Sequence, residues 1–267
     1  MEGSTVLLTG VTGFNADIRS EEELASAADG AHYVFHVASP FVITAEDPAR
    51  DIVAPAIHDC HAKQEPAAGP GQRYSEEDWN TLSTLEAEPY WVSKVEAERT
   101  AWRLAEELGL PLVTILPNFV MGPVLAPEAA GGTSVGFFKA FVEARADKPP
   151  PSGSWTFVDV RDVAAAHLLA ATVPGAAGRR YIVSRSKAAS SRTVTDILRT
   201  GVPELAGMPE GEPAAEEERI DSSRSECELG LVYTPLQQTL VDMAVSLIRL
   251  GIASPAGAAA DAAAAAP

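Results

Sequence analysis

The chain has 267 residues, enough to bury a substantial core as one domain or as one domain with a smaller lobe. It carries 20 Lys and Arg against 37 Asp and Glu, a formal net charge of −17. So acidic a chain repels phosphate backbones and anionic headgroups, which argues against nucleic acid and membrane surfaces as partners. Cys60 and Cys227 are its only cysteines, too few for a disulfide framework and in keeping with a reduced, cytoplasmic setting. Glu2 and a short apolar run cut by Gly10 do not make a signal peptide, and no apolar run reaches membrane-spanning length.

Taken in order, Thr5–Thr9 has the pattern of a buried strand, followed by a glycine turn from Gly10 to Phe14. Ser20–Ala28 is a helix candidate, with Ser20 as cap, Glu23 three residues on and Gly30 as stop. Tyr33–Val37 is a second apolar strand, and this order of elements belongs to a parallel α/β sheet. Gln64–Gln72, rich in Pro, Gly and Ala, has loop composition. A long helix is expected from Pro89 to a stop at Gly109, with an apolar stripe of Trp91, Val95, Trp102, Ala105 and Leu108. Leu112–Leu116 is a third strand. Further on come a helix over Ser134–Ala144, a strand over Trp155–Val158, a helix over Arg161–Ala171, a strand over Arg180–Ser184 and a helix over Leu236–Leu250. The acidic stretch Glu204–Glu228 is expected to be mobile in part, and the Ala-rich stretch from Ala253 on to be disordered.

Several residue groups point to chemistry. Tyr90 and Lys94 stand four apart on one helical face, and a neighbouring ammonium favours the phenolate of a tyrosine, so the pair is a proton-transfer device in outline. Gly10, Gly13 and Ala16 are spaced as in a turn that offers backbone N–H groups to a pyrophosphate. The acid that such a fingerprint expects at the end of the next strand is missing after Tyr33–Val37. His58, Cys60 and His61 form a three-donor cluster that matches no metal-site template, and surface positions explain them more simply. His36 and His167 lie in apolar surroundings expected of core histidines. Arg179 and Arg180 could touch an anionic ligand but are expected to be a solvated pair, and Glu216-Glu217-Glu218 solvent-facing charge.

Together these segments resemble the extended short-chain dehydrogenase/reductases, in the branch of dihydroflavonol and cinnamoyl-CoA reductases. The resemblance is carried, in order, by Val6-Leu7-Leu8-Thr9-Gly10-Val11-Thr12-Gly13-Phe14, Val34-Phe35-His36-Val37-Ala38-Ser39-Pro40 and Tyr74-Ser75-Glu76-Glu77-Asp78-Trp79. It continues through Tyr90-Trp91-Val92-Ser93-Lys94, Pro117-Asn118-Phe119-Val120-Met121-Gly122-Pro123, Phe157-Val158-Asp159-Val160-Arg161-Asp162-Val163-Ala164 and Glu228-Leu229-Gly230-Leu231-Val232-Tyr233-Thr234-Pro235-Leu236. The resemblance implies a Rossmann-like parallel sheet, reduced in strand number, in a dinucleotide-binding domain of residues 1–124 plus 155–185. A small C-terminal α/β substrate lobe follows from 125–154 plus 186–252, and residues 253–267 form the tail. It further implies that Tyr90 donates the proton to a substrate carbonyl while Lys94 lowers its pKa and holds the nicotinamide ribose. Gly10, Thr12, Gly13 and Phe14 would line the pyrophosphate, Asp17 and Ile18 the adenine, Val37, Ala38 and Ser39 a ribose, and Pro117 and Val120 the nicotinamide. The cofactor implied is NADP, with NAD possible, and the substrate a small aromatic or apolar ketone, aldehyde or acyl-thioester.

Two internal blocks of the family pattern are absent. Phe14 runs almost directly into Asn15-Ala16-Asp17-Ile18, without the first long helix and the cofactor-selecting strand. After Ile57 the chain passes through His58-Asp59-Cys60-His61 to the Pro/Gly loop, without the strand that carries the family's catalytic serine. Ser39, Ser75, Ser83 and Ser93 are the hydroxyls nearest in sequence, none in the family context. Two readings therefore stand: a carbonyl reductase, or a shortened isoform that serves as a cofactor- or partner-binding module. A metal-dependent hydrolase built on His58, Cys60 and His61 is a distant third. The absence of neighbouring strands also leaves open whether the strand at Tyr33–Val37 pairs with the first strand or with Leu112–Leu116.

Overall fold

The computed structural model describes residues 6–8, 32–35 and 73–256. Strand β1 is Val6–Leu8 and β2 is Tyr33–Phe35, and they run parallel in the register Val6–Tyr33, Leu7–Val34, Leu8–Phe35. The pairing left open by the sequence is thus decided for β1 with β2. Helix α1, Pro89–Leu108, is followed by β3, Val113–Pro117, and β4, Phe119–Met121. Helix α2 is Thr133–Val142, β5 is Ser154–Trp155, β6 is Phe157–Asp159 and α3 is Val160–Thr172. Then come β7, Arg179–Val183, β8, Ala189–Ser190, α4, Ser191–Gly201, α5, Ser223–Leu229, and α6, Leu236–Arg249. Among the described residues β3 pairs with β7, β4 runs parallel to β6, and β5 antiparallel to β8. The class is α/β with parallel pairing, as expected.

The described residues fall into two compact units. The first holds β1, β2, Glu76–Leu116 and Ala166–Tyr181, and the second holds residues 73–75, Pro117–Ala165 and 182–256. The second unit is built round one apolar core, in which Phe138, Phe141, Val194, Leu198, Leu240, Ala244 and Leu247 are all fully buried. Helix α4, which composition did not reveal, contributes Val194 and Leu198 from one face. The expected single strand at Trp155–Val158 is two strands, broken at Thr156, because Ser154–Trp155 turns to Ala189–Ser190 while Phe157–Asp159 turns to β4.

Three expectations in this unit need correcting. The acidic stretch is ordered by pairing: Tyr74 bridges Ile220, Lys187 bridges Glu218, and Asp221 N–H donates to the Tyr74 carbonyl at 2.7 Å. Ala253 is no part of a disordered tail, since it is 2% exposed within the core and its N–H bonds the Leu247 carbonyl. Glu216 is also not simple surface charge. It is half-buried and accepts from Ser190 N–H at 2.9 Å, Ser190 Oγ at 2.7 Å and Thr193 Oγ1, closing the N-terminus of α4 beside the Ser190 cap. Burial by itself would raise its pKa, but the hydrogen bonds from Thr193 and Ser190 and the charge of Lys187 outweigh this and bring it down to about 2. Glu217 and Glu218 are exposed, as expected.

Candidate active site

The site starts with how α1 begins. Asn80 Oδ1 accepts from the N–H groups of Leu82 at 3.2 Å and Ser83 at 3.0 Å, and Asn80 Nδ2 donates to Ser83 Oγ at 2.8 Å. Ser83 Oγ in turn donates to Glu88 Oε2 at 2.7 Å, and Glu88 N–H to the Thr84 carbonyl at 2.8 Å. This run of local bonds makes the turn that Asn and Ser favour and delivers Pro89 to the first helical position, where a missing N–H costs nothing. Tyr90 therefore lies in the first turn. At the far end Gly109 takes φ 64°, a left-handed cap that Cβ-bearing residues avoid, and Leu110 N–H returns to the Ala105 carbonyl at 2.8 Å.

The buried face of α1 is more polar than its composition led one to expect. It comprises Tyr90, Ser93, Lys94, Val95, Ala97, Glu98 and Ala105. Of the predicted stripe, Val95 and Ala105 are buried, Trp91 and Trp102 half-buried, and Leu108 is 67% exposed. Tyr90 is 9% exposed and Lys94 2%, and Lys94 Nζ stands 5.0 Å from the centroid of the Tyr90 ring. A buried ammonium is costly unless something compensates it, and at this distance the ring face supplies part of that compensation. A cation so placed also favours the anionic form of a phenol. Trp91 packs edge-on against Tyr90 with centroids 5.0 Å apart.

The candidate hydroxyls are largely committed elsewhere. Ser93 is fully buried and its Oγ donates to the Tyr90 carbonyl at 2.6 Å, within the helix. Ser83 serves the turn described above. Ser75 belongs to the second unit, and Ser39 lies outside the described residues.

One turn beyond Lys94, Glu98 is 1% exposed. Its Oε1 accepts from Thr114 Oγ1 at 2.8 Å, Trp102 Nε1 at 3.1 Å and Arg180 Nε at 2.7 Å, and its Oε2 from Arg180 Nη2 at 2.8 Å. Arg180 Nη1 reaches the carbonyls of Glu76 and, at 3.2 Å, Asp78. The guanidinium lies 3.9 Å from the Trp79 ring centroid. Arg180 is thus no solvated residue: its side chain is 11% exposed and every polar group is used. The sequence carried only half of that signal: a carboxylate on a buried face needs a cation, but nothing in its spacing singled out Arg180.

Of the other residues expected at the site, Gly10, Thr12, Gly13, Phe14, Asp17, Ile18, Val37, Ala38 and Ser39 lie outside the described residues, as do His36, His58, Cys60 and His61. Pro117 and Val120 are in the second unit. There Asn118 fixes the loop between them, with its N–H to the Val183 carbonyl at 3.3 Å and Nδ2 to Thr156 Oγ1 at 2.6 Å. Val120 sits opposite Val158 in the β4–β6 register. Gly122 closes the strand with φ 134°, where a Cβ would stand 2.8 Å from Val160 Cγ1. His167 stacks edge-on to Phe35 at 6.2 Å, as a core histidine does. Among the described residues no group of His, Cys, Asp or Glu could hold a metal, and no helix is long and apolar enough to cross a membrane. An open depression of about 630 Å³, lined by Trp102, Ala105, Leu110, Leu112 and Gly178, lies at the opposite end of α1 from Tyr90.

The family model for the NAD dependent epimerase/dehydratase family matches residues 62–184, which include both members of the Tyr90–Lys94 pair. Cinnamoyl-CoA reductase 1 of Arabidopsis thaliana is 31% identical over 267 residues, covering 90% of this chain and 75% of that protein. The chain belongs to the extended short-chain dehydrogenase/reductase family. Its place in the dihydroflavonol and cinnamoyl-CoA reductase branch is supported by a Medicago truncatula cinnamoyl-CoA reductase, 30% identical with 88% of this chain and 78% of the relative covered. It spans a smaller share, 63%, of the Arabidopsis anthocyanidin reductase, to which it is 30% identical. The fold is shared with the yeast methylglyoxal/isovaleraldehyde reductase Gre2 solved with NADPH, at a TM-score of 0.73 and 22% identity, over 93% of this chain and 99% of that one.

Proposed function

We propose that this family member is an NADPH-dependent reductase of a small aromatic or apolar ketone, aldehyde or acyl-thioester. The observation that carries the reading is Lys94 Nζ 5.0 Å from the Tyr90 ring on the buried face of α1. Family membership supports it, as do relatives named for reduction of cinnamoyl-CoA and of methylglyoxal with NADPH. A buried ammonium beside a phenol is a donor set suited to a ribose hydroxyl and a carbonyl oxygen, so these residues fit a nicotinamide cofactor. Lys94 would hold the nicotinamide ribose, with Gly10, Thr12, Gly13, Phe14, Asp17, Ile18, Val37, Ala38, Ser39, Pro117 and Val120 along the rest of the dinucleotide. The cofactor supplies the hydride. Tyr90 supplies the proton to the carbonyl oxygen, and Lys94 stabilises the phenolate left behind. Residues 1–124 plus 155–185 would serve the dinucleotide and 125–154 plus 186–252 the substrate, in a cytoplasmic protein.

The test is turnover of NADPH with a panel of aryl ketones, aldehydes and thioesters. Tyr90→Phe should lower kcat roughly 10²–10⁴-fold, the range for a lost general acid, with NADPH binding kept. Unchanged turnover in that variant sinks the mechanism. A second reading, a module that binds cofactor or partner without turnover, is favoured by the commitment of Ser83 and Ser93 to structural bonds. A missing carbonyl donor costs roughly 10²–10³ in rate. Saturable NADPH binding with no reduction of any substrate would select this second reading.

A further inference from the structure

Tyr90, Lys94 and Glu98 are successive steps of four along α1, each turned about 40° and advanced about 6 Å from the last. The first two would do chemistry; the third is held harder than either needs. Glu98 is tied to Thr114 on β3 and, by two parallel bonds, to Arg180 on β7. Arg180 is tied to the carbonyls of Glu76 and Asp78 and lies on Trp79, in the segment that leads into α1. One guanidinium thus joins a strand, the helix and the segment entering the helix.

We infer that Glu98 and Arg180 are positioning residues for the Tyr90–Lys94 pair. The inference rests on the reductase reading above. The apolar residues buried on the first half of the helix, among them Val95 and Ala97, pack without directional preference. A fork of two charge-assisted bonds fixes both rotation and height. A rotation of about 10° moves a group roughly 6 Å from a helix axis by about 1 Å, and a misplacement of about 1 Å can cost roughly 10²-fold in rate. The buried pair need not stabilise the fold, because apolar replacements of equal volume commonly do that as well or better. Its distinctive contribution is direction.

The experiment uses the full chain and three variants: Glu98→Gln, Arg180→Lys, and the double change Glu98→Leu with Arg180→Met. In the double variant apolar volume replaces the ion pair, so thermal stability should stay within a few degrees of wild type. Even so, kcat per folded molecule should fall roughly 10–100-fold with the KM for NADPH little changed. Glu98→Gln and Arg180→Lys, which each keep one arm of the fork, should fall between. Amide hydrogen exchange should rise in residues 90–94 of the double variant and stay unchanged in α6. Recovery of wild-type kcat together with stability in the double variant would make the pair merely structural and overturn the inference. So would unchanged exchange in residues 90–94. The exchange measurement needs no turnover, so a wild-type chain that reduces nothing defeats the reductase reading while this arm still decides the inference.

Discussion

The face beneath α1 and the apolar cluster of the second unit bury different things. Beneath α1 the first unit encloses Ser93, Lys94, Glu98 and Thr114, polar groups whose environment must be matched atom by atom. The second encloses Phe138, Phe141, Leu198, Leu240, Met243 and Leu247, which need only the right volume in the right rotamers. Apolar packing tolerates exchange of shape for shape. A buried charge tolerates nothing that leaves it unpaired. A core of the second kind gives stability, and a face of the first kind gives geometry, so substitutions in the two places should separate stability from activity.

The sharpest break on the apolar side is Phe141→Ala. Phe141 is fully buried against Phe137, Phe138 and Trp155, with ring centroids 5.5, 6.1 and 6.0 Å away. The change should cost about 3–5 kcal/mol of unfolding free energy, read from the shift in urea midpoint, with turnover per folded molecule kept. On the polar side the counterpart is Lys94→Met. It removes the ammonium from a site 2% exposed and keeps most of the volume, so stability should hold or rise. Turnover should fall roughly 10²–10³-fold. If Lys94→Met instead unfolds the chain and Phe141→Ala silences it, the division of labour is wrong. A smaller break lies at Gly122, where φ is 134° and an added Cβ would meet Val160 Cγ1 at 2.8 Å. Gly122→Ala should cost about 1–3 kcal/mol through backbone strain, again visible in the urea midpoint.

The same contrast governs what the sequence disclosed. α1 was legible from Pro89 to Gly109 because both ends are written in residues with fixed backbone habits. Tyr90 and Lys94 were legible because four-residue spacing is a local fact. Partners contributed by distant chain were not. Glu98 meets Arg180 across 82 positions, so spacing could not reveal the pair, and Arg180 beside Arg179 looked like surface charge. The stripe was misplaced for the same reason: it assumed an apolar interior, whereas the face toward β3 and β7 is polar. In the second unit β4 is three residues long and pairs with β6 at a distance, so no periodicity marked it. Glu216 was taken for solvent-facing charge because its donors Ser190 and Thr193 precede it by more than twenty residues.

Glu216 offers the smallest and most conditional effect, and it asks whether a carboxylate beside the apolar core behaves like the one beneath α1. Its carboxylate is held at about 2, below its ordinary 4.5, by bonds that favour the ionised form. Above about pH 4.5 both the folded and the unfolded chain carry the charge, and the folded state has the full benefit of the bonds. As pH falls from there toward 2 the unfolded chain takes up its proton first, so this contribution to stability is lost progressively through that window. Glu216→Gln should therefore cost roughly 1–2 kcal/mol at neutral pH, the scale of hydrogen bonds to a charged group. The gap between wild type and variant should narrow when urea unfolding is repeated at pH 4.5 and pH 3. A gap that stays constant over that range would mean that the α4 terminus is held by shape and neutral bonds. Glu216 would then differ in kind from Glu98, whose ionised form is what the fork beneath α1 requires.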